Sequence, residues 1–240
     1  MGRPSSELGP RAGATRRLGL LTIGQAPRPD GLAWEVTVVL GEGFAVVERG
    51  ALDDLGPGDA ARLAPRPGQD LLVTKLRDGS SVRVAEEAIL ERLQRQIERL
   101  EDEDGVEATL LLCTGTFPTF RHRRPLLQPQ AALHGAALGI AGPDRLGAVI
   151  PLAEQRPQMA RAWRERGAEV VLVEADPYGP EPEAAVGRAA AEARAQGARV
   201  LLMDCFGYDL AMRRAAARAF AGPVLLARSL AARLLVEMAA

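Results

Sequence analysis

Largely apolar stretches at residues 18–23, 44–49, 70–75, 108–112, 146–151, 169–174, 200–204 and 223–227 alternate with segments whose apolar positions recur every three or four residues. The stretches are too continuous for strands with one wet face. They fit strands covered on both sides, as in a parallel sheet. The intervening segments predict helices: over 84–100, Ile89, Leu93, Ile97 and Leu100 form one apolar stripe with Glu and Arg opposite. Residues 131–140 are an alanine-rich apolar segment, and helices are also read over 152–166, 181–196 and 209–220. Asp209 is placed to cap the last of these, and Ser229 to cap a final helix reaching 239. A Gly/Pro/Asp-rich stretch over 53–68 allows a short helix at 59–63. Strand and helix alternate, so the expected fold is α/β, with parallel sheets flanked by helices.

The pattern also repeats. Residues 18–29 correspond to 146–157, and 108–117 to 200–206: an opening strand closed by a Gly or Pro turn, then a strand that ends in a cysteine. Two pseudo-symmetric lobes facing a common cleft are the expected organisation. The expected parts are a flexible tail at 1–16, which has no hydrophobic period, an N-terminal lobe at 17–141, a C-terminal lobe at 142–227, and a helix at 228–240 packing back on the first lobe.

Composition narrows the functional classes. A net charge of −1 over 240 residues offers no general attraction to nucleic acid or anionic lipid. The one local basic cluster, Arg121-His122-Arg123-Arg124, is small for a nucleic-acid face and reads as a solvated loop or an anion-attracting flap. No apolar stretch approaches the roughly 20 residues of a membrane span, and the first residues lack a secretory apolar core. A cytoplasmic protein with reduced thiols is expected. His122 and His134 lack metal-site spacing, two cysteines are too few for structural zinc, and the glycine-rich turns match neither a phosphate loop nor a dinucleotide fingerprint. Neither metal nor cofactor is therefore expected, and a homodimer is left open.

Candidate chemistry centres on the only two cysteines, Cys113 and Cys205, each ending an apolar strand and each followed two residues later by glycine. They read either as ordinary core thiols or as a paired-thiol site at the carboxyl ends of two parallel strands, where ligands bind in such folds. Two opposed thiols fit an acid and a base on either side of a carbon acid. Gly115 and Gly207 would bring backbone N–H groups to the thiolates and to a ligand carboxylate. The other candidate ligand contacts are Gly24, Gln25 and Arg28 after the first strand, Thr114 and Thr116 beside Cys113, and Phe206 and Tyr208 beside Cys205. Arg28 would bind a carboxylate. Asp204 adjoins Cys205, but alternation along a strand points it to the other face.

Leu21-Thr22-Ile23-Gly24-Gln25-Ala26-Pro27-Arg28 resembles the opening motif of the AroM protein family. Leu202-Met203-Asp204-Cys205-Phe206-Gly207-Tyr208 resembles its late motif, and Ala148-Val149-Ile150-Pro151 fits between them. That family is a relative of the aspartate/glutamate/hydantoin racemase superfamily. The resemblance implies two α/β lobes with one cysteine from each, Cys113 and Cys205, at a shared cleft. It implies an amino-acid racemase-like isomerase, independent of cofactors, acting on a small carboxylate or amino-acid derivative. One departure is that Phe206-Gly207 stand where racemases usually carry Thr and then a charged or His residue. Two alternatives therefore stay open: a non-catalytic carboxylate binder or sensor, and a decarboxylase or cis-trans isomerase that uses one cysteine.

Overall fold

The computed structural model describes residues 15–56 and 58–239, so the tail expected over 1–16 lies almost wholly outside the described residues. The chain runs through β1 (Arg16–Thr22), α1 (Leu32–Leu40), β2 (Phe44–Gly50), β3 (Leu71–Lys75), β4 (Ser81–Ala85), α2 (Leu90–Asp102), β5 (Ala108–Leu111), β6 (Leu126–Leu127) and α3 (Gln130–Ala141). It continues through β7 (Leu146–Ile150), α4 (Arg156–Arg164), β8 (Val171–Glu174), α5 (Pro182–Ala195), β9 (Val200–Met203), α6 (Leu210–Phe220), β10 (Val224–Leu226) and α7 (Ala227–Ala239).

Two parallel four-stranded sheets result. One has the order β2-β1-β5-β6 and the other β8-β7-β9-β10. Both orders read second, first, third, fourth along the chain, so β5 and β9 are equivalent strands. Leu18, Leu20, Leu110, Ala148, Val149, Leu201 and Leu202 have no exposed surface, as expected of central strands packed on both faces.

Three elements depart from the pattern read in the sequence. Residues 32–40 show no clear helical signal in the sequence, because Val36, Thr37, Val38 and Val39 are poor helix formers. They form α1 all the same, with Leu32, Val36 and Leu40 buried at a four-residue spacing. A parallel β1–β2 pair needs a crossover, and burial of that stripe outweighs the local preference. Residues 84 and 85 do not begin the helix expected over 84–100 but end a strand, 81–85, that pairs antiparallel with β3 from Leu71↔Ala85 to Lys75↔Ser81. Gly79, at φ 85°, makes the turn. This hairpin stands outside both parallel sheets. Ser229 lies inside α7, where its hydroxyl donates to the Leu226 carbonyl instead of capping. Asp209 does cap α6, accepting from Met212 N–H at 2.8 Å.

The last helix of each half crosses to the opposite sheet. α3 follows the first sheet in sequence but packs against β7 and β9, with Ala137 and Ala141 in the core around Leu146, Trp163 and Leu202. α7 follows the second sheet but packs against α1 and β5, placing Ala231, Ala232 and Leu235 with Leu18, Leu20 and Leu110.

Candidate active site

The equivalence of β5 and β9 carries through to their ends. Cys113 and Cys205 each lie two residues past the last residue of their strand. Each sulfur accepts the backbone N–H two residues on: Gly115 at 3.4 Å from Cys113 Sγ, and Gly207 at 3.3 Å from Cys205 Sγ. Both thiols are free and half-buried. They line one cavity of about 30 Å³, together with Leu72, Val73, Thr114, Gly115, Pro151, Gln155, Gln158, Met159 and Asp204. That volume is on the order of a single water molecule. A larger hollow of about 220 Å³, lined by Arg145, Trp163, Arg164 and Glu169, lies elsewhere on the C-terminal half and contains neither cysteine.

Burial is the main influence on the thiols. It pushes Cys113 well above the ordinary thiol range and Cys205 up to about 11. The Gly115 and Gly207 amides pull each back towards the thiolate, and Arg28 and Arg228 do the same for Cys205. Asp204 pushes both up. At neutral pH the closed site therefore holds two protonated thiols.

A hairpin closes this space. β3 and β4 reach across to α4, where Leu71 N–H donates to Gln158 Oε1 at 2.9 Å. The Leu71 carbonyl accepts from Gln158 Nε2 at 2.9 Å and from Gln155 Nε2 at 3.0 Å. Ion pairs Arg161–Asp70 and Arg83–Glu154 flank the junction. Leu72 and Val73 of the same strand form the cavity wall.

The remaining candidates separate into those at the cavity and those that support it. Thr114 lines the cavity, and its hydroxyl donates to the Asp204 carbonyl at 3.0 Å, tying the two cysteine loops together. Gln130 Nε2 holds the Thr114 carbonyl and the exposed Thr116 hydroxyl. Arg28 does not line the cavity. All five of its N–H donors are committed: Nε and Nη2 to Asp30, Nη1 to the Thr22 and Thr74 hydroxyls, and Nη2 also to Tyr178. Gln25 braces a loop, donating to the Leu52 and Leu55 carbonyls and accepting from Arg77 N–H.

At Gly24 a Cβ would lie 2.2 Å from the Lys75 carbonyl, so glycine is required for the hairpin to approach. At Gly207 a Cβ would lie 2.7 Å from both Pro177 and the Tyr178 hydroxyl. Phe206 is buried in the core of the first sheet, and its carbonyl accepts from Arg228. Tyr208 is buried, with its hydroxyl on the Ala175 carbonyl. Two arginines of the basic cluster are paired on the end of α2, Arg121 with Glu98 and Arg123 with Glu101 and Asp102, and none of 121–124 lines the cavity of the cysteines.

Two participants escaped the sequence reading. Alternation along a strand placed Asp204 away from Cys205, but β9 ends at Met203, so the rule no longer applies and Asp204 lines the cavity. Behind it, His134 of α3 sets Nε2 2.8 Å from Asp204 Oδ2, both side chains fully buried. The His134 ring stacks on Trp163 at a centroid distance of 3.7 Å. No local signal marks His134, because its partner lies in another strand loop. Among the described residues, no group of three or more His, Cys, Asp or Glu could hold a metal ion, and no helix is long and apolar enough to cross a membrane.

The sequence profile of the family described as AroM protein matches residues 18–239. The chain belongs to the AroM family. No curated protein matches this AroM member. Among solved structures it is similar to aspartate racemase of Picrophilus torridus, at TM-score 0.59 and 11% identity over 93% of this chain and 94% of that one. It is similar to allantoin racemase of Pseudomonas fluorescens, at TM-score 0.58 and 14% identity over 92% and 89%. Unliganded arylmalonate decarboxylase gives TM-score 0.54 and 14% identity over 94% and 93%. The AroM chain therefore has the aspartate/glutamate racemase-like fold.

Proposed function

We propose that this AroM protein is a cofactor-independent isomerase of the racemase type, moving a proton on a small carboxylate or amino-acid derivative between Cys113 and Cys205. The observation that carries this reading is the matched pair of thiols, offered by equivalent strand ends to one cavity, each with its own backbone N–H donor. One thiol, having given its proton to solvent as the ligand binds, removes as thiolate the proton next to the carboxylate, and the opposite thiol gives its own proton to the other face of the same carbon. The direction of reaction decides which sulfur is base. Because burial holds both as thiols, ligand binding must bring the charge that favours a thiolate. Racemase and decarboxylase relatives of the same fold make small carbon acids the compounds to try first.

The test is α-proton exchange in deuterated water, monitored by NMR, over a panel of enantiopure amino acids and N-acyl derivatives. Exchange that disappears in both Cys113→Ser and Cys205→Ser supports the reading. Turnover unchanged in both variants rules it out, and loss in only one points to the one-cysteine decarboxylase or isomerase.

A further inference from the structure

Two residues that line the cavity each carry an acceptor oxygen that no described residue satisfies. Asp204 Oδ1 and Gln155 Oε1 are buried and unpartnered, on residues that line the space shared by the sulfurs. Asp204 is 1% exposed and Gln155 6%, so bulk water does not solvate either one.

Both side chains are anchored by their other atoms. Asp204 Oδ2 is held by His134, whose ring is pinned against Trp163, and Gln155 Nε2 is bound to the Leu71 carbonyl. Neither oxygen can turn away to find a donor. No Arg or Lys is among the described residues that line the cavity, and Arg28 has no N–H to spare. A buried acceptor without a donor is unfavourable, and a buried carboxylate oxygen more so. A group that enters a space this small meets its walls at once.

We propose that Asp204 and Gln155 determine specificity by accepting hydrogen bonds from an N–H group of the ligand, so that the site takes α-amino or α-amido compounds and rejects malonate-type dianions. This deepens the two-thiol reading and rests on it. His134 is a positioning residue, acting only through Asp204. An anionic group in place of the N–H would face the Asp204 carboxylate at short range with little solvent between them. A ligand ammonium, by contrast, offsets the Asp204 charge that adds to burial in keeping the thiols protonated, so the correct ligand also eases loss of the thiol proton.

The test uses ligand pairs that differ only at that group: alanine against isobutyrate, and aspartate against methylsuccinate, with malonate as the dianion. Binding is read by thermal shift on the full chain. The parent should bind the amino member of each pair about tenfold more tightly or better, and show no shift with malonate. In Asp204→Asn the amide oxygen still accepts from His134 and the amide N–H₂ faces the cavity, so the preference should reverse towards isobutyrate, methylsuccinate and malonate. Gln155→Met should weaken the preference without reversing it. General destabilisation does not reverse a preference, so a variant that merely folds poorly is not mistaken for support. The proposal is overturned if the parent shows no preference for the amino members, including no binding of either, or if Asp204→Asn keeps the parent's order. The Cys113→Ser/Cys205→Ser double variant should keep the parent's preference, which separates failure of this proposal from failure of the proton-transfer reading.

Discussion

A cavity of about 30 Å³ admits no amino acid while the β3–β4 hairpin is shut, so opening of that hairpin should limit access to both sulfurs. Gln158→Met tests this. The substitution keeps side-chain length and removes two hydrogen bonds, from Leu71 N–H to Gln158 Oε1 and from Gln158 Nε2 to the Leu71 carbonyl. Each neutral bond contributes about 0.5–1.5 kcal/mol net, so the closed state should lose about 1–3 kcal/mol relative to the open one. The open population then rises about 5- to 150-fold. Gln155 and the Arg161–Asp70 and Arg83–Glu154 pairs remain, so the hairpin still closes most of the time. Two measurements should move together by the same factor: amide hydrogen exchange across residues 71–85, and the rate at which iodoacetamide alkylates Cys113 and Cys205. Faster alkylation with unchanged exchange in the hairpin, or faster exchange with unchanged alkylation, would refute the hairpin as the gate.

Other expectations follow from single groups. Thr114→Val removes the hydroxyl that bridges the cysteine loops and should lower unfolding free energy by about 0.5–1.5 kcal/mol in a urea titration. Cys205 has a folded pKa raised by burial, so its stabilising effect is intact below the unfolded thiol value and is lost as pH rises through about 11. Thermal melts of the parent should therefore fall relative to Cys205→Ser between about pH 9 and 11 and run parallel below pH 8. Glu86 is raised to about 7 by burial, with Asp70 and Glu87 beside it, and its effect is likewise present at low pH and lost as pH rises through 7. Glu86→Gln should therefore gain in melting temperature on the parent as pH moves from 5 to 8. Gly24→Ala must displace the Lys75 carbonyl and should accelerate cysteine alkylation by loosening the hairpin.

The strand ends that present Cys113 and Cys205 were legible because buried parallel strands leave continuous apolar runs, and a cysteine closing two such runs is visible without coordinates. α1 was hidden because Val36–Val39 locally prefer extended backbone, and only the demand for a crossover overrides them. β4 was hidden because Val82 and Val84 merge with the helical period that follows. At the site, a strand-parity argument failed for Asp204 one residue past the end of β9, and the bond to His134 joins positions 70 residues apart. Arg28 was legible as a carboxylate-binding cation, but its carboxylate in the structure is Asp30, two residues away, which takes Nε and one Nη2 donor.

The crossing of α3 and α7 to opposite sheets has a consequence for how the protein is made. The first sheet's face, with Leu18 and Leu20, is completed by Ala231 and Leu235, about 215 residues further along the chain. A ribosome that has synthesised only the first half exposes an unfinished apolar surface until α7 arrives, so neither half is expected to mature unaided. Contacts this distant in sequence slow folding. Two fragments divided near residue 142 and expressed together should reassemble more readily than either behaves as a stable unit alone.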